Sequence, residues 1–271
     1  LYALVQQRSL ASHRSRIIAA NNIINAFFMV AATGAVLGFL AAGLNVTHVM
    51  LAFALFNAAV AVYIFTLVPE FLMRFMIWIL IHLIYRVETK GMEHIPEKGA
   101  AVLVCNHVSF VDALIIGGCV RRPTRFVMDY QIYRIPVLNF VFRTAGAIPI
   151  ASAKQNPELL EASFKRVSEY LRAGEIVCIF PEGRITGDGD IHRFRLGIER
   201  IIKTDPVPVI PMALRGLWGS FFSRRFGPAM SRFPRRFWPK IALYAQPPIP
   251  SQEISAADLQ LRVEALRGNQ Q

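Results

Sequence analysis

Ala101-Val102-Leu103-Val104-Cys105-Asn106-His107-Val108-Ser109-Phe110-Val111-Asp112 opens as a buried strand and closes as a polar turn that runs into a helix. Its first five residues are apolar without a break. A strand covered on both faces reads this way, whereas a half-exposed strand alternates. Further along, Ile176-Val177-Cys178-Ile179-Phe180-Pro181-Glu182-Gly183-Arg184 is built on the same plan. In an α/β sheet, chemistry collects outside the carboxyl ends of strands. The polar ends of these two segments can therefore face one cleft.

Outward from them the pattern is strand–helix alternation, which predicts an α/β domain, a sheet flanked by helices. Arg125–Met128 and Ala147–Ile150 read as short strands, with an apolar helical stretch at Pro136–Thr144 between them. Pro157–Arg172 is an amphipathic helix with Pro157 in its first turn and Gly174 at its stop. A helix at Phe194–Lys203, a strand at Ile241–Ala245 and a terminal helix at Ala256–Arg267 complete the domain. Val207–Leu214 is a strand that contains Pro208 and Pro211, so it is expected at an edge or as an irregular strand.

The N-terminal part has a different character. From Ile17 to Pro69 there is no Asp, Glu, Lys or Arg. That is long enough for two membrane spans, since one needs roughly 20 residues. The break falls near Gly43-Leu44-Asn45, giving spans at about 17–42 and 46–68. Arg8, Arg14 and Arg16 precede the pair, and Arg74, Arg86 and Lys90 follow it. Two spans return the chain to its starting side, so both basic flanks share the face that the positive-inside rule calls cytoplasmic. The expected location is an inner (cytoplasmic) membrane with the downstream domain on the cytoplasmic side. Asn21, Asn22 and Asn25 should face protein or the interface, because amides are costly against lipid. Gly34 and Gly38 have the spacing of a close helix contact, which chance in an Ala/Gly-rich helix also produces. About 70–87 reads as an interfacial helix. The domain boundary is expected near residue 88, with a membrane region at 1–88 and the α/β domain at 89–271.

Composition agrees. Of 271 residues, 54% are hydrophobic, and the formal charge is +12. The basic excess suits an anionic lipid, a phosphorylated substrate or a nucleic acid. It is concentrated at 215–240, where Arg215, Arg224, Arg225, Arg232, Arg235, Arg236 and Lys240 occur without an acid, interleaved with Trp218, Phe221, Phe222, Phe226, Phe233, Phe237 and Trp238. Aromatics and cations together suit a lipid headgroup layer. The upstream spans favour lipid over nucleic acid. Cys105, Cys119 and Cys178 are odd in number and widely spaced, which fits neither a disulfide framework nor a zinc site. Position 1 is Leu, which reads as a fragment or processed piece, and no cleavable signal peptide is evident. Asp188 and Asp190 form an acidic turn that lacks a full cation ligand set, so no metal is expected.

His107 and Asp112 are spaced so that the carboxylate can reach one imidazole nitrogen and leave the other facing the cleft. A carboxylate so placed fixes the tautomer and stabilises the imidazolium, which makes His107 a candidate general base for a hydroxyl nucleophile. The spacing alone equally fits a surface histidine beside a capping aspartate. Asn106 could cap the helix or orient the loop. Gly183 permits close backbone approach, and Arg184 offers a planar fork for phosphate. A turn with a surface ion pair would look the same.

Taken together, Asn-His-x-x-x-x-Asp at 106–112, Phe-Pro-Glu-Gly-Arg at 180–184 and Val-Pro-Val-Ile-Pro at 207–211 resemble the glycerolipid acyltransferase family. Its members include 1-acylglycerol-3-phosphate and lysophospholipid acyltransferases. The resemblance implies that family's mixed α/β fold and transfer of a fatty acyl group from an acyl thioester to the free hydroxyl of a lysophospholipid. It gives His107 the role of base and Asp112 its support. It implies substrate contact by Asn106, Ser109, Phe180, Pro181, Glu182, Gly183, Arg184 and Pro211. No resident cofactor is implied; acyl-CoA or acyl-carrier protein would be the co-substrate, and membrane lipid the other partner. Three departures stand out. A Lys common before the second motif is missing near Asp129 and Tyr130, Ala151-Ser152 replaces an acid–Arg pair, and no Thr separates Gly183 from Arg184. The helix pair also resembles the closing spans of a major facilitator-type transporter. A transporter tail with a lipid-binding domain is the rival expectation.

Overall fold

A computed structural model describes residues 12–67, 69–136, 138–231 and 238–269. It parts into two compact units, one ending at Leu67 and the other comprising the rest of the chain. The first unit is two helices, α1 (Arg14–Ala41) and α2 (Val46–Leu67). Both are long and apolar enough to cross a membrane, each with a mean hydropathy of 2.1. The expected break is present. Gly43 takes a positive φ of 84°, and Asn45 Oδ1 accepts from the His48 N–H at 2.9 Å to start α2. Gly34 and Gly38 face open space among the described residues, so their spacing makes no close contact there.

The second unit opens with α3 (Pro69–Ile84), followed by β1 (Arg86–Lys90) and β2 (Ala101–Cys105). Next come α4 (Asp112–Cys119), β3 (Thr124–Asp129), the single turn α5 (Tyr130–Tyr133), α6 (Leu138–Thr144) and β4 (Ile148–Ile150). Then follow α7 (Pro157–Arg172), β5 (Ile176–Ile179), α8 (Gly197–Thr204), β6 (Val209–Arg215), β7 (Lys240–Ala245) and α9 (Ala256–Arg267). Local signals set several of these bounds. Asn156 accepts from the Leu159 N–H to start α7, which Gly174 ends, and Ser255 accepts from the Asp258 N–H to start α9.

The seven strands form one mixed sheet in the order β1-β7-β6-β2-β5-β3-β4. β2 runs parallel to both β5 and β6, whereas β7 is antiparallel to β6. The unbroken apolar run of β2 has the expected cause. Ala101, Leu103 and Cys105 pack on one face with Ile81 of α3 and Ile115 and Ile116 of α4. Val102 and Val104 pack on the other with Val167 of α7, Ile198 of α8 and Leu259 of α9. From β2 the chain crosses toward β3, and from β5 it crosses back toward β6. The carboxyl ends of β2 and β5 thus flank a point where the connections diverge, which is where open α/β sheets place ligands.

Two expectations need correction. A boundary near residue 88 would cut β1, whose residues pair with β7 from Arg86↔Lys240 to Lys90↔Tyr244. The interfacial helix accordingly ends at Ile84, and α3 is part of the α/β unit. It lies so close to α4 that a Cβ on Gly118 would meet Ile81 Cδ1 at 2.5 Å. β6 is an interior strand and not an edge, and of the two expectations for it the irregular strand is the one that holds. Pro211 is tolerated because its neighbour bulges there. Pairing of β6 with β7 stops at Met212↔Ala245 and resumes as a bridge at Val209↔Ile249, so Gln246-Pro247-Pro248 oppose Ile210-Pro211. The Gln246 N–H donates to the Pro211 carbonyl at 2.9 Å, and no N–H is required of Pro211.

Arg125 joins α3 to the sheet. It donates to Glu70 of α3 at 3.0 Å, to Glu175 before β5 at 2.5 Å and to the Ala145 carbonyl at 2.9 Å. Arg125→Ala leaves all three acceptors without this donor. It is expected to lower stability by about 1–3 kcal/mol, read as a shift in thermal or urea unfolding of the detergent-solubilised chain.

Candidate active site

The register of β2 on β5 brings the two motifs together. Val104 pairs with Ile179, so the chains leave the sheet side by side, one into Asn106-His107 and the other into Phe180-Pro181-Glu182. The His107 N–H donates to Glu182 Oε1 at 2.8 Å across a sequence separation of 75 residues. The rings of His107 and Phe180 stack 4.2 Å apart at 15°. The Thr186 N–H donates to the His107 carbonyl at 3.0 Å. His107 is thereby held through its N–H, its carbonyl and one ring face.

Its ring nitrogen Nδ1 lies 2.8 Å from Asp112 Oδ2. Asp112 is fully buried at the start of α4. Oδ2 also accepts the Val108 N–H at 2.6 Å and the Ser109 N–H at 2.9 Å, and Oδ1 accepts the Ser109 hydroxyl at 2.7 Å. A carboxylate in such a donor cage has only lone pairs to offer, so the shared proton sits on Nδ1. Nε2 is then the basic nitrogen. The imidazole side chain keeps 21% of its surface exposed, while Asp112 has none.

Several residues expected to touch substrate are occupied with the fold instead. Asn106 continues the sheet with its side chain: Nδ2 donates to the Leu214 carbonyl at 3.1 Å, and Oδ1 accepts the Leu214 N–H at 2.8 Å. Ser109 is buried on Asp112. Glu182 is buried and accepts the His107 N–H on one oxygen and the His192 N–H on the other, at 2.9 Å. Pro181 is buried and its carbonyl accepts the Arg195 N–H. Pro211 is buried under the bulge. These residues shape the site without presenting a surface to a ligand. Gly183 and Arg184 are exposed, and Phe180 is half-buried against His107.

The structure adds residues that carried no local signal. The segment after β6 clamps the histidine loop: the Phe110 N–H donates to the Phe222 carbonyl at 3.3 Å, and Ser109 bridges Ser223. Tyr85 is buried nearby. Burial, reinforced by the Asp112 charge, pushes its hydroxyl up to about 12. Backbone donors such as those of His192 and Thr186 exist at every residue, so no pattern of side chains announces them.

The thiols are poor nucleophiles. Burial pushes Cys119 up to about 12 and also raises Cys105 and Cys178 well above the ordinary thiol value, with charge on Cys178 and Asp112 adding to the rise at Cys105. Among the described residues, no group of His, Cys, Asp and Glu is arranged to hold a metal ion. Asp188 accepts from Thr186 Oγ1 and the Asp190 N–H within its turn.

A family model for acyltransferases matches residues 86–215, which contain β1 through β6 and both motifs. Residues 86–215 form an acyltransferase domain of the glycerolipid acyltransferase family. It is 29% identical over 133 residues to a chloroplastic 1-acyl-sn-glycerol-3-phosphate acyltransferase of Brassica napus, covering 49% of this chain and 38% of that one. The Pseudomonas aeruginosa 1-acyl-sn-glycerol-3-phosphate acyltransferase is 31% identical over 129 residues, covering 47% of this chain and 49% of its own. The chain thus spans about half or less of these curated relatives. The crystal structure of the 1-acyl-sn-glycerophosphate acyltransferase of Thermotoga maritima superposes with a TM-score of 0.51 at 23% identity, over 67% of this chain and 69% of that one. That likeness confirms the mixed α/β acyltransferase fold. These relatives lend no support to a transporter portion.

Glu182 offers a test of how this site is held. Burial raises its carboxyl above the ordinary 4.5, against the pull of its two N–H donors. A raised folded-state value means that this stabilisation is fully present below the unfolded value and is lost as pH rises through the folded one. Glu182→Gln sets an NH₂ against one of those N–H groups and is expected to destabilise by about 1–3 kcal/mol. The substitution also removes the titration. The stability difference between wild type and variant should therefore shrink as pH rises above 4.5 in unfolding experiments.

Proposed function

We propose that the chain is a membrane-attached O-acyltransferase that moves a fatty acyl group from an acyl thioester to the free hydroxyl of a lysophospholipid such as 1-acylglycerol-3-phosphate. The observation that carries this reading is the joined pair of motifs: a carboxylate-oriented histidine whose backbone is held by the Glu182 turn, inside the acyltransferase match. The relatives' printed activity supports the same acceptor.

His107 Nε2 takes the proton of the acceptor hydroxyl as its oxygen attacks the thioester carbonyl. Asp112 stabilises the imidazolium that results. The tetrahedral intermediate collapses, the carbon–sulfur bond breaks, and the leaving thiolate takes the proton back from His107. The donor is acyl-CoA or acyl-carrier protein, and the three high-pKa thiols agree with direct transfer without an acyl-enzyme. Arg184, exposed on the turn beside His107, meets the acceptor phosphate.

Membrane attachment rests on the length and apolar character of α1 and α2 and on the outer face of α3. On α3, Phe71 and Leu83 are 66% and 73% exposed, while Ile81 on the opposite face is buried. A helix with one apolar face on its own domain and another outward suits the headgroup boundary. The basic flanks support a cytoplasmic location for the α/β unit.

His107→Ala is expected to lower acyl transfer to 1-acylglycerol-3-phosphate by about 10²–10⁴-fold, with the fold retained and stability lowered by about 1–3 kcal/mol because Asp112 loses one donor. The assay follows label from acyl-CoA or acyl-carrier protein into phospholipid. Turnover near that of the wild type would remove His107 as the base. Label retained covalently on the protein would replace direct transfer with an acyl-enzyme route.

A further inference from the structure

Past β6 the chain makes a loop that closes on itself and is rooted in the histidine loop. The Met230 N–H donates to the Phe221 carbonyl at 3.0 Å and the Gly227 N–H to the Arg224 carbonyl at 3.2 Å, which folds 221–230 into a flap. At its base Phe222 holds the Phe110 N–H and Ser223 bridges Ser109. Ser223 Oγ is itself fixed, accepting the Gly219 N–H at 3.0 Å and donating to the Ser220 carbonyl at 2.9 Å. The base of the flap is thus joined to the residues two and three places after His107.

The tip has another character. Arg224, Arg225, Phe226 and Met230 are exposed, the last two by 40% and 54%. Neither arginine has an acid partner among the described residues. Arg224 lies 5.6 Å over the Phe110 ring and Arg225 5.5 Å over Phe226. Met230 presents its side chain from a φ of 63°, a left-handed backbone uncommon for a residue with a Cβ and frequent at functional segments. Phe222 packs in one core cluster with Ile77 and Ile81 of α3, so the flap leaves the sheet on the face that α3 covers. Farther along, Trp238 is 53% exposed and donates from its indole nitrogen to the His82 carbonyl of α3 at 3.1 Å. Apolar side chains beside unneutralised cations, on the side of the domain whose helix is apolar outward, match the headgroup boundary of a bilayer.

We propose that 221–230 is a lipid-facing flap that docks on an anionic headgroup layer, and that this contact sets the histidine loop for turnover at the membrane. The proposal rests on the membrane-attached acyltransferase reading above and names the regulation of that site. Lipid phosphates attract Arg224 and Arg225, while Phe226 and Met230 enter the apolar boundary. Arg224 is the link, because the same guanidinium covers Phe110. An anionic surface that engages Arg224 therefore acts on a ring three residues from His107. Each cation at such a surface is worth about 5-fold in binding, and salt screens that gain.

The test uses the full chain in nanodiscs of phosphatidylcholine alone, or of phosphatidylcholine with phosphatidylglycerol. Met230→Cys takes a bimane label, since the native thiols are buried or half-buried with raised pKa values. Lipids brominated high on the acyl chain should quench the label, more strongly with phosphatidylglycerol and less as salt rises. Transfer to long-chain 1-acylglycerol-3-phosphate should run about 5- to 30-fold faster with phosphatidylglycerol, for one or both cations. Arg225→Gln with Phe226→Ser should lose the quenching and most of that advantage, while transfer to a short-chain, water-soluble acceptor in detergent keeps the wild-type rate. Phe110→Leu should keep the quenching and lose the advantage. Arg224→Gln, an exposed change that removes the other half of the same contact, should lose the advantage even where Phe110→Leu does not fold. An unquenched label in both nanodiscs, or equal turnover in both, would overturn the proposal. So would a full response to phosphatidylglycerol in Phe110→Leu or Arg224→Gln. A label that responds to acyl-carrier protein and not to lipid would assign the flap to a protein partner and end the proposal as well. Quenching needs no turnover, so a chain that is quenched but acylates neither acceptor refutes the acyltransferase reading alone. The flap is then judged by whether Arg225→Gln with Phe226→Ser abolishes the quenching.

Discussion

Asp112 carries a charge with no exposed surface, and much of the site follows from that constraint. A buried carboxylate is tolerated only when hydrogen bonds replace the water it has lost. Here they come from the Val108 and Ser109 N–H groups, the Ser109 hydroxyl and the His107 ring. All four donors belong to the few residues ahead of α4, so satisfying the charge forces that stretch to curl around the helix start. The curl leaves His107 at its rim with Nε2 as the free basic nitrogen. The residue that orients the histidine ring is thus also the one that folds the loop.

Glu182 repeats the device across the sheet. Its two oxygens accept backbone N–H groups from His107 and from His192, which lies beyond the turn. One buried carboxylate orients the histidine ring, and a second fixes the histidine backbone and the basic segment that follows. Both depend on β2 and β5 being parallel neighbours in a set register, because a shift of one residue would carry Glu182 away from the His107 N–H. Asn106 secures the other side, its amide standing in for a backbone pair with Leu214.

Much of this was legible in the sequence. The continuous apolar runs of β2 and β5 gave interior strands, and Pro157 and Gly174 gave the bounds of α7. The spacing of His107 and Asp112 gave their contact. What failed did so for identifiable reasons. Pro208 and Pro211 argued for an edge or an irregular strand; the strand is interior, and the distant Gln246-Pro247-Pro248 bulge is the irregularity that makes Pro211 acceptable there. β1 was hidden because Arg86-Val87-Glu88-Thr89-Lys90 lacks an apolar pattern. Its pairing with β7 is made by backbone, with Glu88 satisfied by Lys240 at 2.7 Å and Tyr244 at 2.8 Å. Asn106, Ser109 and Glu182 looked like ligand contacts because polar residues at strand ends usually face solvent. Here their partners are main-chain groups and one another, which composition cannot show.

The basic stretch at 215–240 shows how one charge pattern divides once its geometry is known. Arg215 donates to the Leu266 carbonyl and lies 4.4 Å over the Tyr244 ring, so it ties β6 to α9. Trp218 is buried in the core, and Lys240 is neutralised by Glu88. Those three serve the fold and leave the lipid reading. Arg224 sits 5.6 Å over the Phe110 ring and Arg225 5.5 Å over Phe226, both exposed. Arg232, Phe233, Arg235, Arg236 and Phe237 lie outside the described residues. The net charge of +12 is therefore not one uniform field. Part of it is cancelled or stacked inside the domain. The cations left without acids are a distinct subset, and Arg184, exposed on the turn after Glu182, is one of them. Acid partners, more than the count of basic residues, separate the arginines that hold this fold from those free to hold a ligand.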